Sequence, residues 1–317
     1  MTDYTKNFEQ VKEYVRGANP LWEVAASYIE LPSSDKKPFL CFLHNEDNPS
    51  CHLHPSGEYF HCFGCGKNID VFSLIMHFEK THFMESVRFL ADRANITLPQ
   101  YSKQEQDKLT KYLQQKQQET ELFETVLALL KERQNLNGDY LLKRGISKET
   151  SEKYECYEIN LSISEIIKAL KEKGFSQELI DASHILHDTR IFENSLVLPI
   201  RMRGRIVTFC SRTLIDRDPK YLYLTDHIKG IFNYDEAVTQ EEMYVCEGPI
   251  DALTLIDKGL ISTVSLGSCN ASKDQIITLK KLQDKTIIIV FDNDCDKKDN
   301  SGLNGAIKLA KALGGKK

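Results

Sequence analysis

Met243-Tyr244-Val245-Cys246-Glu247-Gly248-Pro249-Ile250-Asp251 and Thr286-Ile287-Ile288-Ile289-Val290-Phe291-Asp292-Asn293-Asp294 are two short apolar runs, each ending in acid. Each reads as a strand. Ile287 to Phe291 is unbroken and largely β-branched, the pattern expected of a parallel strand buried on both faces. Carboxylates at the C-terminal ends of such strands sit where open α/β sheets place their ligands. Asp292 and Asp294 lie two apart, so extended backbone turns both side chains to one face. With Glu247 on the other strand end they form a candidate Mg²⁺ site, because Mg²⁺ takes hard oxygen ligands and keeps waters and substrate phosphates in its shell. An isolated Asp-x-Asp is as often a pair of solvated acids. Glu-Gly-x-x-Asp joined with Asp-x-Asp, each after an apolar strand, is much more specific.

At these residues the chain resembles the TOPRIM domain shared by bacterial-type primases, topoisomerases and some nucleases. That family's chemistry is metal-assisted phosphoryl or phosphodiester transfer. The resemblance leaves the reaction open, and the rest of the chain has to choose it.

The 317 residues give room for two or three domains, and 41% hydrophobic residues are enough for a sizeable core. The net charge of −5 excludes a globally basic nucleic-acid binder, so any such surface is a local patch. No apolar run approaches a membrane span, and the polar N-terminus has no signal-peptide core, so the expected location is cytoplasmic. Nine cysteines in such a chain point to metal or free thiols rather than disulfides. No P-loop sequence is present.

Cys41-Phe42-Leu43-His44 and Cys62-Phe63-Gly64-Cys65 are two knuckles separated by 17 residues. Paired ligands at this spacing match a closed tetrahedral zinc site of Cys41, His44, Cys62 and Cys65. The segment between them fits a hairpin, extended over Cys51 to His54 and Glu58 to His61, with Pro55-Ser56-Gly57 as its turn. Cys51, His52, His54 and His61 lack knuckle spacing and are left out. Upstream, Phe8, Val11 and Val15, then Leu21, Val24, Ala25 and Tyr28, recur at helical spacing over residues 8–31, broken at Gly17 to Pro20. Downstream, Asp70 reads as a helix cap before Phe72, Ile75, Met76 and Phe78, and a second helix is expected over about 84–94.

Residues 8 to 99 are similar to the zinc-binding domain of bacterial replicative primases of the DnaG type. The similarity runs through the two knuckles, Glu46, Pro49-Ser50, Phe60-His61, Gly66 and Asp70. Departures are Phe42 where the family usually has proline, Cys51 where it has an aromatic, and Asn68-Ile69 near its usual glycines.

Gln100 to Gln118 is rich in Lys, Gln and Glu and reads as a solvated linker or an exposed helix. From about Leu122 a helix with Phe123, Val126, Leu129 and Leu130 opens the next domain. Gly145 ends one helix and Ser147 caps another, and Gly174-Phe175-Ser176 repeats the device. Leu196 to Leu214 reads as a hairpin turning at Arg203-Gly204. Residues 200–230 hold Arg201, Arg203, Arg205, Arg212, Arg217, Lys220 and Lys229 against Asp216, Asp218 and Asp226, with Tyr221 and Tyr223 interleaved. A basic stretch with aromatics suits phosphate tracking and base stacking, although a solvated hairpin would look similar.

The order of these residues resembles the polymerase-core motifs of the same primases. The resemblance assigns Arg212, Lys220 and Lys229 to nucleotide or template contacts. Phe192-Glu193-Asn194-Ser195 stands where the family usually has an arginine-rich Phe-Arg-Asn-Arg element. Ser265-Leu266-Gly267-Ser268 resembles the turn after the second TOPRIM strand. After Asp294 the family's Ala-Gly pair is replaced by Ser301-Gly302, delayed by an insertion of Cys295 to Asp299.

The resulting expectation is a multi-domain α+β chain. It has a zinc-binding domain at 1–99, a linker at 100–121, an N-terminal subdomain of a primase core at 122–235 and a truncated TOPRIM domain at 236–317. The resemblance implies a primase that makes short RNA primers on single-stranded DNA from ribonucleoside triphosphates. It implies one structural Zn²⁺, and Mg²⁺ or Mn²⁺ held by Asp292, Asp294 and Glu247, with Glu247 a metal ligand or a general base and Asp251 in support. It implies no membrane, and a replicative helicase as partner of a longer form. The family continues beyond the equivalent of Lys317 with another strand, an acidic pair and a helicase-binding domain, so a shortened piece or a naturally short relative is expected. The rivals are a non-catalytic single-stranded DNA-binding module and, more distantly, a TOPRIM nuclease.

Overall fold

A computed structural model describes residues 3–99, 103–224, 230–280, 282, 285–293 and 300–315. The chain divides into two compact units, residues 1–116 and 117–317. Among the expected site residues, Lys229 and Asp294 lie outside the described residues, as does the insertion 295–299.

The first unit is built on a small antiparallel sheet. Strands β1 (Cys51–Leu53), β2 (Tyr59–Cys62) and β3 (Asn68–Asp70) pair in that order, with Cys51 opposite Cys62 and His52 opposite His61. The hairpin was legible in the sequence, whereas the three-residue β3 was not. Helices α1 (Asp3–Gly17), α2 (Leu21–Ala25), α3 (Val71–Phe78) and α4 (Phe83–Arg93) close the unit. Asp70 caps α3 as expected, accepting the Ser73 N–H at 2.8 Å. The core is aromatic: Phe8, Phe60 and Phe72 are fully buried, and Phe39 meets Phe60 edge-on at 4.9 Å. Each such burial contributes about 1.5–3 kcal/mol.

Helix α5 (Lys103–Arg133) runs across the division at 116/117, through the segment read as a solvated linker or an exposed helix. In the second unit its Leu122, Phe123, Val126 and Leu130 are buried. Helices α6 (Tyr140–Lys143) and α7 (Lys148–Lys153) follow, then β4 (Tyr157–Ile159), α8 (Ile163–Glu172) and α9 (Gln177–Ala182). Gly145 takes a positive φ of 75° between α6 and α7, a conformation that costs glycine little. Ser147 and Ser176 cap α7 and α9, accepting the N–H groups of Thr150 and Leu179.

Strands β5 (Ser195–Met202), β6 (Arg205–Thr213) and β7 (Tyr221–Tyr223) join β4 in an antiparallel sheet of order β4-β5-β6-β7. The β5–β6 hairpin turns at Arg203-Gly204, where both residues have positive φ. It is not an ordinary solvated hairpin. Alternate residues of β5 point to opposite faces, and both faces are covered. Val197 joins Phe123, Phe192 and Phe209 in one core, while Leu196 and Leu198 join Cys246, Ile250 and Leu253 in another.

Helix α10 (Tyr234–Ala237), β8 (Glu242–Cys246), α11 (Pro249–Asp257), β9 (Thr263–Ser265), α12 (Lys273–Lys280), β10 (Thr286–Val290) and α13 (Ser301–Ala312) complete the unit. Among the described residues, β10, β8 and β9 form a parallel sheet in that order. The expectation that Ile287–Phe291 is buried on both faces is corrected. The isoleucines of β10 are only half-buried and Val290 is 42% exposed, because β10 pairs with β8 on one side and is the last strand in the described order.

Candidate active site and metal centre

Parallel pairing sets Val290 opposite Cys246, so the two strands end side by side and bring Glu247 next to the backbone of Asp292. Glu247 leaves β8, and its Oε1 accepts the backbone N–H of Asp292 at 3.2 Å, across 45 residues of sequence. Asp292 is exposed and Glu247 half-exposed. Behind Glu247, the Ser265 hydroxyl donates to the Glu247 carbonyl at 2.6 Å and accepts the Gly267 N–H at 3.0 Å, which fixes the turn after β9. Helix α13 closes on this corner through Gly302. A Cβ there would lie 2.0 Å from the Asp292 carbonyl oxygen and 2.7 Å from Glu247 Oε1. Asn300 caps α13 by accepting the Leu303 N–H and donates to the Asn293 side chain at 2.8 Å.

Pro249 opens α11, where a missing N–H is harmless. One turn in, Asp251 accepts the Gly248 N–H at 3.2 Å. The Asp251 carboxyl is held above the ordinary range, first by desolvation in the cleft and then by the charge of Asp292. The Gly248 N–H, Arg144 and Arg212 pull it back down. The charges of two arginines therefore act on the acidic corner. Arg212 donates from Nε to the Tyr140 hydroxyl at 3.2 Å, and its guanidinium lies 5.1 Å from the Tyr221 ring centre. Arg144 stacks over Tyr140 at 5.5 Å. Tyr221 is tied in as well, since a Cβ on Gly248 would come within 3.2 Å of its hydroxyl.

Arg212 was expected here from the sequence, with Tyr221 as an aromatic interleaved in its basic stretch, whereas Arg144 and Tyr140 were not. The only sequence signal for Arg144 is a basic residue before the helix-ending Gly145. Its turn is pinned from the far end of α11, where Asp257 accepts the Ser147 N–H at 2.8 Å and the Thr150 hydroxyl at 2.7 Å. Lys220 is exposed, immediately before β7.

In the first unit, Cys41, His44, Cys62 and Cys65 present ligand atoms all within 4.8 Å of one another. The Leu43 and Cys65 N–H groups point at Cys41 Sγ and Cys62 Sγ, each at 3.4 Å, the geometry of backbone curled around a bound metal. Three thiols and one imidazole, two of the thiols buried, fit a closed tetrahedral zinc site. Cys51 is fully buried nearby but outside the quartet, and His61 is engaged with Asn68 at 2.7 Å.

Three family models match in sequence order. Residues 7–107 match the CHC2 zinc finger, 125–233 the N-terminal domain of the DNA primase catalytic core, and 244–316 a Toprim-like domain. The zinc-finger match and the quartet together support zinc. A DNA primase of Thermotoga maritima is 31% identical over 90% of this chain and 52% of its own length. A DNA primase of Listeria monocytogenes is 26% identical over 96% of this chain and 52% of its own length. The chain thus spans about half the length of these curated relatives. The zinc-binding and RNA polymerase domains of the Aquifex aeolicus primase superpose with a TM-score of 0.53 at 22% identity, over 96% of this chain and 76% of that one, a likeness of fold. Among the described residues no helix is long and apolar enough to cross a membrane.

Proposed function

This chain belongs to the DnaG-type primase family, and from that premise we propose that it synthesises short RNA primers on a single-stranded DNA template. The observation that carries this reading is the contact of Glu247 with Asp292 on neighbouring strand ends, beside an Asp251 whose carboxyl feels the charges of Asp292, Arg144 and Arg212. Hard carboxylate oxygens on one side suit Mg²⁺ or Mn²⁺, and guanidinium groups on the other suit phosphate.

In this reading Glu247, Asp292 and Asp294 hold the catalytic metal, which when bound neutralises phosphate charge and lowers the pKa of the attacking 3′-hydroxyl. Glu247 and Asp292 are held in mutual register by the hydrogen bond between them. Asp251 holds the start of α11 and sets the distance to the arginines. Arg144 binds the triphosphate of an incoming ribonucleotide, while Arg212, Lys220 and Lys229 track the template backbone. Tyr140 and Tyr221 keep the two guanidinium groups stacked, so they meet phosphate with little loss of freedom. Cys41, His44, Cys62 and Cys65 hold a structural zinc in the unit that helps select the start site. A replicative helicase is the partner of a longer form.

A labelled-ribonucleotide assay on single-stranded template with Mg²⁺ and with Mn²⁺ tests this. Wild-type protein yields short RNA, and Asp292→Asn with Asp294→Asn lowers the yield by a factor on the order of 100 or more while zinc content is unchanged. Shortened template instead of new RNA would establish a nuclease. Retention of DNA without product would establish a binding module.

A further inference from the structure

Glu46 lies behind the metal-ligating quartet and holds both of its halves. Its Oε1 accepts the Cys41 N–H at 2.7 Å and the Ser50 N–H at 3.3 Å. Its Oε2 accepts the Ser50 hydroxyl and lies 3.2 Å from His44 Nε2. Ser50 carries the connection to the second knuckle, with its Oγ 3.2 Å from Cys62 Sγ and 3.2 Å from the Gly64 N–H that it accepts.

The two nitrogens of His44 therefore face different partners. Nε2 faces the carboxylate, and Nδ1 lies 4.0 Å from Cys62 Sγ. Zinc–sulfur and zinc–nitrogen bonds at a tetrahedral angle put such ligand atoms about 3.6 Å apart. Nδ1 is already near that distance, and a rigid ring cannot offer the metal both nitrogens. Gly64 leaves the room this arrangement needs. A Cβ at that position would fall 2.8 Å from His44 Nε2, 2.9 Å from Ser50 Oγ and 3.1 Å from Glu46 Oε2.

We propose that Glu46 is a positioning residue of the zinc centre: it accepts the Nε2 proton of His44 and so fixes the tautomer that offers Nδ1 to the metal. The proposal rests on the zinc reading above. A carboxylate on the far side of a ligating imidazole raises the ring's basicity and fixes its orientation, and losing such a partner typically weakens metal binding about 10–100-fold. By holding the Cys41 N–H as well, Glu46 joins the first knuckle's backbone to the ring of its second ligand.

Two measurements on the full chain test this. In zinc-loaded protein with ¹⁵N-labelled histidine, long-range proton–nitrogen correlation should show one zinc-dependent ring with Nδ1 metal-bound and Nε2 protonated. In competition with a chromophoric chelator, Glu46→Ala should bind zinc about 10–100-fold more weakly. Glu46→Gln, whose single amide oxygen can accept on one side only, should recover part of the loss. Zinc bound through Nε2, or wild-type zinc affinity in Glu46→Ala, would overturn the proposal and leave the zinc centre standing. Metal analysis finding no zinc in protein prepared without chelator would overturn both. If Glu46→Ala fails to fold, the wild-type spectrum still decides.

Discussion

The basic residues between 201 and 220 divide according to what their side chains hold. Arg201 forms a two-pronged bond to Glu124 at 2.7 and 3.2 Å and a third to Glu155 at 2.9 Å. Arg217 donates to the carbonyls of Arg190 and Glu193, each at 3.3 Å. Both are spent on the fold, although in the sequence they count equally toward a basic patch. Arg212 and Lys220 are the two that the proposed function assigns to template phosphate. Replacing either by Ala should weaken single-stranded DNA binding and reduce the slope of log affinity against log salt by about 1. Arg201→Ala should leave that slope unchanged and lower the melting temperature, since it strands two carboxylates together. Filter binding across a salt series, with thermal melts alongside, checks the contrast. An unchanged slope in both Arg212→Ala and Lys220→Ala would remove them from the interface.

At the scale of elements, the contact of α13 with the strand ends matters most. Gly302 sits where the helix's first turn presses on the Asp292 carbonyl and the Glu247 carboxylate. Gly302→Ala must move backbone, because the clash at 2.0 Å is with a main-chain oxygen. The variant should lose about 1–3 kcal/mol of stability and most primer synthesis, with zinc content intact. Calorimetry and the primer assay read the two effects separately, and full activity in the variant would mean that α13 does not set the Glu247–Asp292 geometry. The helix caps at Asp70, Ser147 and Ser176 were legible in the sequence because a cap needs only a side-chain oxygen and an N–H a few residues on. The short β3 and β4, three residues each, carry too few positions to show alternation.

At the scale of the molecule, the two units keep separate cores. One gathers Phe8, Phe60 and Phe72 around the knuckles, and the others surround the two sheets of residues 117–317. A structural zinc contributes folding energy directly to the unit that holds it. Chelation should therefore strip amide hydrogen-exchange protection from residues 38–66 while β8, β9 and β10 keep theirs. Protection lost equally in both units would show that they fold as one.

The sequence by itself determined what depends on near neighbours along the chain. It set the two knuckles, the acids at the strand ends, the caps and the hairpin turn at Arg203-Gly204, because their geometry follows from backbone dihedrals over a few residues. Tertiary structure alone decided which charges meet. The charges of Arg144 and Arg212 act on Asp251 because Leu196 and Leu198 pack with Ile250 and Leu253, bringing the antiparallel sheet onto the helix that carries the acid. It also decided that Arg201 is neutralised, that β10 stays half-exposed, and that Gly302 has no room for a side chain. The reason is physical: contacts between residues far apart in the chain arise from packing of whole faces, and packing leaves no periodic mark on the residues it brings together.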